Sequence, residues 1–268
     1  MPESVPVPDS VPVPDSVPVP DSVPAPKPVP APELVPAPEL VPAPVQDSVP
    51  VPDSLSLPDA APLALRDDPQ PQRLISSETV FAGAVWDVRR ESFDYEGATM
   101  TRELIDHPGA VAVLALDDDG RVLLIKQYRH PIAARDWELP AGLLDIAGES
   151  PLIGAQRELA EEADLQATTW HLLSEFFTTP GGSNEALRVY LARGLSATEP
   201  FARYDEEAHI ELRWVPLEDA VQAVLTRQVT NSILQIAILT AAAARDQGWA
   251  TLGDPNAAWP WHPKLRQS

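Results

Sequence analysis

Residues 142–165 read GLLDIAGESPLIGAQRELAEEADL, and this stretch determines most of what the sequence predicts. A glycine-containing loop leads into a helix predicted over Pro151–Asp164, because proline suits the first turn of a helix. Glu158, Glu161 and Glu162 stand at i, i+3 and i+4, so they project from one face of that helix. Like charges at this spacing repel one another, and a hard divalent cation such as Mg²⁺ would turn that repulsion into binding.

The same segment resembles the Nudix box, Gly-x5-Glu-x7-Arg-Glu-U-x-Glu-Glu-x-Gly-U, in which U is a bulky aliphatic residue. The core of the box is intact from Glu149 to Glu162. Gly142 lies one residue further from Glu149 than the pattern asks, which indicates an insertion in the loop. Asp164 stands where the pattern has its second glycine. Because aspartate tolerates left-handed backbone angles better than most residues, we expect Asp164 still to end the helix.

The resemblance implies that the box supplies metal ligands and no nucleophile. The implied ligands are the carboxylates of Glu158, Glu161 and Glu162 and the backbone carbonyl of Ala141. Glu149 and Arg157 are expected to form an ion pair that fixes the loop to the helix. Mg²⁺, or Mn²⁺ in its place, would neutralise a diphosphate and activate water for attack on phosphorus.

Segments on both sides of the box extend the resemblance to the ADP-ribose pyrophosphatase subfamily of Nudix hydrolases, and to its actinobacterial type in particular. The matching segments are residues 102–111, 126–131, 137–142 and 179–192. The likeness covers about residues 73–245. It implies Mg²⁺-dependent hydrolysis of ADP-ribose to AMP and ribose 5-phosphate. The alternatives are a Nudix hydrolase for another nucleoside diphosphate sugar and a catalytically idle Nudix fold that serves as a binding module.

The resemblance also implies roles for residues outside the box. Arg129 would hold a substrate phosphate, for which a guanidinium is well shaped; the alternative is a surface arginine that pairs with acids. Glu138 would contact the nucleotide or a metal-bound water, and Glu185 would lie near the terminal ribose or the metals. The alternative for Glu138 is that it caps the box loop, and the alternative for Glu185 is that it lies in an exposed turn. Trp86 and Trp137 could stack on adenine, with core packing as the alternative for each.

A catalytic base is expected on the loop before the last strand, where residues 204–209 read Tyr-Asp-Glu-Glu-Ala-His. Glu207 is the first candidate and Glu206 the second, while Glu162 of the box is placed with them among the catalytic residues. A base must come within hydrogen-bond reach of the attacking water, and a loop can achieve this when substrate binds. The alternative is an acidic, solvated loop.

Composition narrows the class of protein further. The chain has 268 residues, no cysteine and a formal net charge of −21. Absence of cysteine excludes disulfides, a thiolate metal site and a cysteine nucleophile. The acidic balance argues against nucleic acid as the main ligand. No apolar run is long enough to span a membrane, and no secretory signal is apparent, so a cytoplasmic location is expected.

Residues 1–62 differ in composition from the rest of the chain. The hexad Val-Pro-Val-Pro-Asp-Ser recurs at 5–10, 11–16, 17–22 and 49–54. Proline at every second position removes amide donors and fixes φ, which predicts a disordered, extended tail without helix or sheet. This proline-rich tail is interpreted as a spacer or solubilising extension. A docking arm for a proline-reading partner is the alternative.

The remaining sequence predicts an α/β protein with a mixed sheet, and the resemblance implies a Nudix α/β/α sandwich. Three parts are expected: linker and N-terminal strands over 63–106, a Nudix domain over 107–247 and a surface-lying C-terminal tail over 248–268. The resemblance implies a homodimer that exchanges the N-terminal strands.

Individual elements follow from apolar patterning and turn signals. Strands are predicted at 80–94 and 98–105 around Tyr95-Glu96-Gly97. A buried strand at 110–116 and a partner strand at 122–128 flank an Asp117–Gly120 hairpin turn. Further strands are predicted at 137–141, 168–178, 186–193 and 209–215, and helices at 217–225 and 231–246.

Overall fold

The computed structural model describes residues 65–201, 203 and 209–265. The chain divides after Ala64, and the elements below all belong to the unit that begins at Leu65. No helix in these described ranges has the length and apolar character needed to cross a membrane.

Ten strands, three α-helices and a short 3-10 helix at His130–Ile132 are the main elements of the described part of this unit. In chain order the strands and α-helices are β1 (Leu74–Phe81), β2 (Asp87–Tyr95), β3 (Ala98–Asp106), β4 (Ala110–Ala115), β5 (Arg121–Arg129), β6 (Ala134–Glu138), β7 (Ala141–Leu143), α1 (Pro151–Ala163), β8 (Leu165–Phe177), β9 (Ala186–Ala197), β10 (Glu211–Pro216), α2 (Leu217–Leu225) and α3 (Ser232–Asp246). The box helix, the three strands that follow it and the last two helices are confirmed.

The strands form three sheets with the orders β7-β4-β9-β8, β10-β5-β6 and β1-β2-β3. The four-stranded sheet is mixed, because β4 and β9 run parallel while its other neighbouring strands are antiparallel. The predicted α/β fold class with a mixed sheet is therefore confirmed.

Strand β4 lies at the centre of the core because all six of its residues are buried. Successive side chains of a strand point to opposite faces, so β4 must be apolar on both sides to be covered on both. Val111 and Val113 pack in one cluster with Ala155 and Leu159 of α1. Ala112 and its neighbours on the other face pack in a second cluster with α2 and α3. Helices thus cover both faces of the sheet.

The turn Asp117–Gly120 forms as predicted, with Gly120 at φ 74°. The predicted hairpin around it is wrong, however. Strands β4 and β5 share only the isolated bridge between Leu116 and Val122, and β5 pairs with β10 and β6 in another sheet. The turn therefore carries the chain from one sheet to the next. Two buried apolar strands beside a tight turn have the same pattern whether or not they pair, so periodicity could not separate these cases.

Two further expectations are corrected. The single strand predicted at 80–94 is interrupted at residues 82–86, where the Gly83 amide donates to the carboxylate of Asp87 at 3.2 Å. The C-terminal segment lies only partly on the surface, where it was predicted to lie. Trp259 and His262 are only 5% and 1% exposed, because this segment packs against the sheet around Arg188.

Candidate active site

The box helix α1 is fixed at both ends by side chains of the box. Ser150 is its N-cap and accepts a hydrogen bond from the amide of Ile153, while Pro151 occupies the first turn. Asp164 follows the helix with φ 53°, and its amide donates to the carbonyl of Ala160 at 3.0 Å. This confirms that Asp164 ends the helix in the left-handed conformation that glycine usually supplies.

Two of the three helix glutamates lie against the loop that precedes the box. The buried carboxylate of Glu162 accepts a hydrogen bond of 2.8 Å from the amide of Ala141. A Cβ on Gly142 would lie 1.9 Å from Oε1 of Glu158, so any larger residue there would displace this side chain from its present position. The structure therefore brings Ala141, Glu158 and Glu162 together, as the sequence predicts.

Arg157 forms the predicted ion pair with Glu149, through Nε at 3.0 Å and Nη2 at 3.1 Å. Its Nη1 also donates to Glu158 at 2.5 Å and to Glu161 at 3.0 Å. The hydrogen bonds that Arg157 donates to Glu149 and the negative charge of Glu158 raise the pKa of Arg157 well above its ordinary range, although burial opposes this. A permanent cation therefore already lies between two of the predicted ligands.

The donor set suits a hard cation, because carboxylate and carbonyl oxygens are the ligands that Mg²⁺ prefers. Within the described ranges no three acidic or histidine side chains already converge as a metal cage. Arg157 bridges Glu158 and Glu161, while Glu162 is turned to the amide of Ala141. Metal binding at these residues would accordingly require their side chains to turn toward one another.

Two predicted substrate residues, Arg129 and Glu138, bind each other. Nε and Nη2 of Arg129 contact the two carboxylate oxygens at 2.7 and 2.6 Å, which is the bidentate geometry of a guanidinium with a carboxylate. Gln127 adds a bond of 3.3 Å to the same carboxylate. Glu138 is 5% exposed, whereas 44% of the arginine side chain remains exposed. Glu138 thus holds a half-exposed guanidinium at the end of β5.

Trp86 and Glu185 both lie close to His107, a residue for which the sequence predicts no part in a site. The rings of Trp86 and His107 are 5.7 Å apart, and Nε2 of the histidine is 3.7 Å from Oε1 of Glu185. Burial lowers the pKa of His107, although the negative charge of Glu185 opposes this. The signal in the sequence was its position in His-Pro-Gly, directly before the buried strand. The side chain of Glu185 also accepts a short hydrogen bond from Thr178.

Asp164 joins the end of α1 to Phe201 and Arg203. Its two carboxylate oxygens accept hydrogen bonds from the Phe201 amide at 2.8 Å and from Nη2 of Arg203 at 2.6 Å. Burial alone would raise the pKa of Asp164, but these two donors outweigh it and lower the pKa. The candidate bases Glu206 and Glu207 lie outside the described residues, so their assignment stays a prediction.

Comparison with known proteins assigns the class. A model of the NUDIX domain matches residues 106–234. The chain is 45% identical over 170 residues to a protein of Mycobacterium tuberculosis named ADP-ribose pyrophosphatase. The matched region covers 63% of this chain and 82% of that protein. It is 38% identical over 168 residues to a protein of the same name from Bacillus subtilis, covering 62% of this chain and 90% of that protein. The chain therefore belongs to the Nudix family of diphosphate hydrolases.

A solved structure supports the fold. The crystal structure of an ADP compounds hydrolase superposes with a TM-score of 0.58 at 19% sequence identity, and the match covers 68% of this chain and 99% of that one. At this identity the likeness bears on the fold alone, and it agrees with the α/β/α arrangement around β4.

Proposed function

We propose that this chain hydrolyses the diphosphate bond of ADP-ribose to AMP and ribose 5-phosphate, with Mg²⁺ as the cofactor. The observation that carries the proposal is the joint placement of Glu158 and Glu162 against Ala141 and Gly142. It is supported by the extent of the likeness to proteins named ADP-ribose pyrophosphatase.

The box residues would hold the metal. We assign Glu158, Glu161, Glu162 and the carbonyl oxygen of Ala141 as its ligands, and Mn²⁺ would suit the same oxygen donors. When bound, the cation supplies charge neutralisation at the diphosphate and activation of water. Arg157 would continue to fix the loop through Glu149 after Glu158 and Glu161 turn to the cation. Its Nε and Nη2 bind Glu149, whereas Nη1 binds the other two glutamates.

Arg129 is assigned to a substrate phosphate. Its half-exposed guanidinium keeps surface available to a ligand, and Glu138 fixes its orientation. A guanidinium that is already oriented loses less conformational entropy when it binds an oxyanion. Glu138 itself is buried, so we assign it to orienting Arg129 and a metal-bound water. The proton acceptor is assigned to Glu207, with Glu206 second.

Trp86 and Glu185 are assigned to the two ends of the substrate. Trp86 is 44% exposed, so its ring retains a face on which adenine can stack. Glu185 is held by Thr178 and lies beside His107, where its carboxylate can accept hydrogen bonds from ribose hydroxyls. A carboxylate that can accept hydrogen bonds through both oxygens favours a sugar over a second phosphate at this end of the substrate.

We further propose a homodimer formed through the β1-β2-β3 sheet. This sheet leaves several large apolar side chains exposed, and exposed apolar patches mark interaction surfaces. They are Leu74, Ile75, Val80 and Phe81, with Val85 and Trp86 in the loop that follows. In this proposal residues 63–106 form the dimer, residues 107–247 are the hydrolase domain, and residues 248–268 are a C-terminal segment.

For residues 1–62 we propose a spacer, with a proline-reading partner as the alternative. The cytoplasmic location stays a prediction, which fractionation of cells with an antibody against the folded unit would test.

The test is a panel of diphosphate compounds with Mg²⁺, read as phosphate released after phosphatase coupling. The panel holds ADP-ribose, ADP-glucose, GDP-mannose, NADH and a dinucleoside polyphosphate. We expect ADP-ribose to lead in kcat/KM by about tenfold or more, which corresponds to roughly 1.4 kcal/mol of transition-state preference. If another compound has the highest kcat/KM, the assignment of ADP-ribose as substrate is wrong, but the assignment of diphosphate hydrolysis stands. Absence of cleavage throughout would favour the idle binding module.

A further inference from the structure

Two stretches of the chain meet at His107 and are joined through their backbones. The amide of Ile105 donates to the carbonyl of Gly182 at 2.9 Å, and the amide of Asn184 donates to the carbonyl of Ile105 at 3.2 Å. The amide of His107 in turn donates to Oδ1 of Asn184 at 2.7 Å. These three hydrogen bonds fix the end of β3 against the loop before β9, which carries Glu185.

The imidazole of His107 is buried and has a defined tautomer. Its side chain is 7% exposed, and Nδ1 accepts a hydrogen bond of 3.1 Å from the amide of Gly109. An imidazole nitrogen that accepts carries no proton, so in the neutral ring the proton is on Nε2. Burial favours the neutral ring, because it lowers the pKa of His107 although the charge of Glu185 opposes this. His107 therefore has one N–H donor, at Nε2.

This donor lies near the carboxylate of Glu185. Nε2 is 3.7 Å from Oε1, while Oε2 accepts a short hydrogen bond from the hydroxyl of Thr178. The distance from Nε2 is about 0.5 Å longer than an ordinary hydrogen bond. Because the two backbones are already fixed, a small rotation of either side chain would close it, and such contacts often tighten when substrate binds. One donor is thus available for each carboxylate oxygen.

The carboxylate of Glu185 keeps room for a ligand beside these two donors. Each carboxylate oxygen can accept about two hydrogen bonds, so the contacts with His107 and Thr178 leave about half of the acceptor sites free. The side chain is 24% exposed, so a ligand can reach it. Acceptor sites of this kind suit the hydroxyls of a sugar, which donate. A carboxylate that is held in place loses less conformational entropy when it binds them.

We propose that His107 is a positioning residue for Glu185 and thereby sets the preference of the enzyme for a sugar on the diphosphate. Its Nε2–H holds Oε1 while the hydroxyl of Thr178 holds Oε2, and the remaining lone pairs of both oxygens accept from the sugar hydroxyls. This inference rests on the proposed function, since it takes Glu185 as the residue that binds the terminal ribose. His107 acts through Glu185 and touches no reacting atom.

The kinetic consequence is confined to substrates that carry the sugar. Hydrogen bonds to the sugar are made in both the ground state and the transition state, so their loss raises KM and leaves kcat nearly unchanged. The ester of ADP with methanol at the terminal phosphate keeps the AMP part and the charge of the diphosphate but has no sugar there. It should not sense a change at His107. A histidine that only supported the fold would affect both compounds alike.

The experiment compares His107→Asn with His107→Gln, which remove different halves of the imidazole. Asparagine keeps a polar atom at the δ position, where Nδ1 accepts from the Gly109 amide, but has no donor at the place of Nε2. Glutamine ends at the ε position and keeps an N–H for Glu185. The control is His171→Asn, a partly buried histidine in β8. Each full-length variant is measured for kcat and KM with Mg²⁺ on ADP-ribose and on the methyl ester.

We expect His107→Asn to raise KM for ADP-ribose about tenfold, with kcat and both constants for the methyl ester within about twofold. His107→Gln should lie within about threefold of the unaltered chain on both compounds, and His171→Asn should match that chain. Glu185→Gln should also lose the preference for ADP-ribose. The double variant His107→Asn/Glu185→Gln should be no worse than Glu185→Gln alone, because two residues that act through one contact are not additive.

A KM for ADP-ribose within about twofold of the unaltered value in His107→Asn would overturn the proposal. An equal loss on the methyl ester would also overturn it, as would losses that multiply in the double variant. If His107→Asn does not fold, ¹⁵N NMR of the imidazole in the unaltered chain and in Glu185→Gln decides instead. The Nε2–H signal of His107 should shift in Glu185→Gln, and an unchanged signal would contradict the proposal.

Failure of the proposed function is separately visible. In that case the unaltered chain would leave ADP-ribose intact, while the ¹⁵N signal would still decide whether His107 holds Glu185.

Discussion

The amide nitrogen of Ala141 lies 2.8 Å from a carboxylate oxygen of Glu162, which ties the end of the loop before the box to the last turn of the box helix. The amide donates and the carboxylate accepts, so this bond fixes one carboxylate oxygen of Glu162 against Ala141. The carbonyl of the same residue, Ala141, is one of the proposed metal ligands. One contact therefore places two proposed ligands next to each other.

Glu162→Gln is expected to lower turnover by several orders of magnitude and to leave the domain folded. The amide oxygen of glutamine can still accept from Ala141, but the negative charge that a cation requires is lost. Steady-state kinetics measure the turnover, and thermal unfolding tests whether the domain stays folded. Glu218→Gln, on the surface of α2, is the control and should retain full turnover. Near-normal turnover of Glu162→Gln would contradict the ligand assignment.

Gly142→Ala tests the close approach of Glu158 to the loop. The added Cβ would lie 1.9 Å from Oε1 and 2.0 Å from Cδ of this glutamate, so the side chain must move away. We expect Mn²⁺ affinity to fall by about tenfold and kcat to fall with it, since ligand placement sets metal affinity. Calorimetry gives the affinity. In the control Gly181→Ala the added Cβ meets nothing within 4 Å, and unchanged metal binding is expected. Equal affinities in both variants would exclude Glu158 as a ligand.

Arg188→Met is expected to destabilise the folded unit by roughly 3–5 kcal/mol, the usual cost of breaking a buried ion pair. The 2% exposed guanidinium pairs with Glu175, donates to the carbonyls of Ala257 and Ala258, and lies 4.5 Å from the ring of Trp259. Urea unfolding measures the loss.

The control for this prediction is Arg90→Ala, which breaks the exposed pairs of Arg90 with Glu78 and Glu103. It should cost less than about 1 kcal/mol, because water screens exposed pairs. Similar losses in the two variants would show that Arg188 does not anchor the C-terminal segment.

His262 should make stability depend on pH below neutrality. Burial lowers its pKa to about 4, and its Nδ1 accepts from the amides of Lys264 and Leu265, which requires the neutral ring. The unfolded chain takes up a proton below about pH 6.5, whereas the folded chain does not until about pH 4, so stability is lost as the pH falls through this window. Between pH 7 and pH 5 the loss from this residue is on the order of 2 kcal/mol.

The measurement is urea unfolding of His262→Asn at both pH values, because asparagine keeps an acceptor without the titration. Between pH 7 and pH 5, the free energy of unfolding of His262→Asn should fall by less than that of the unaltered chain, and the difference should be on the order of 2 kcal/mol. The exposed His130→Asn is the control and should keep the full loss. If the stability of His262→Asn depends on pH as strongly as that of the unaltered chain, His262 is not the cause of the pH dependence.

Deletion of residues 1–62 is expected to leave kcat and KM unchanged. The proposed site lies wholly in the unit that begins at Leu65, and every side-chain contact described above falls within that unit. Kinetics of the truncated chain on the best panel compound check this. A large loss of turnover would show that the proline-rich repeats contribute to catalysis or assembly.

The elements around the box could be predicted because their signals are local. Pro151 near the start, the i, i+3, i+4 spacing of the glutamates and Asp164 at the end together define α1 within one residue. The ion pair of Glu149 with Arg157 could be predicted for the same reason, since the box spacing sets the loop against the helix.

Which strands pair could not be read in the same way. Strands β4 and β5 flank a true tight turn and still belong to different sheets, because pairing depends on partners such as β9 and β10 that lie far away in the sequence. The break at residues 82–86 was missed because this segment reads Ala-Gly-Ala-Val-Trp, and its apolar residues do not stand out from those of the flanking strands.

The sequence by itself determined the family, the helix that carries the glutamates and the acidic chemistry of the site, because these depend on residue type and short spacing. Only the tertiary structure decided that Arg129 binds Glu138, that His107 lies close to both Trp86 and Glu185, and that Asp164 holds Arg203. Each of these pairings joins different elements or loops, so it exists only once the sheets and helices have packed. The burial of Trp259 and His262 has the same origin, since the segment that carries them is covered only by contact with distant Arg188.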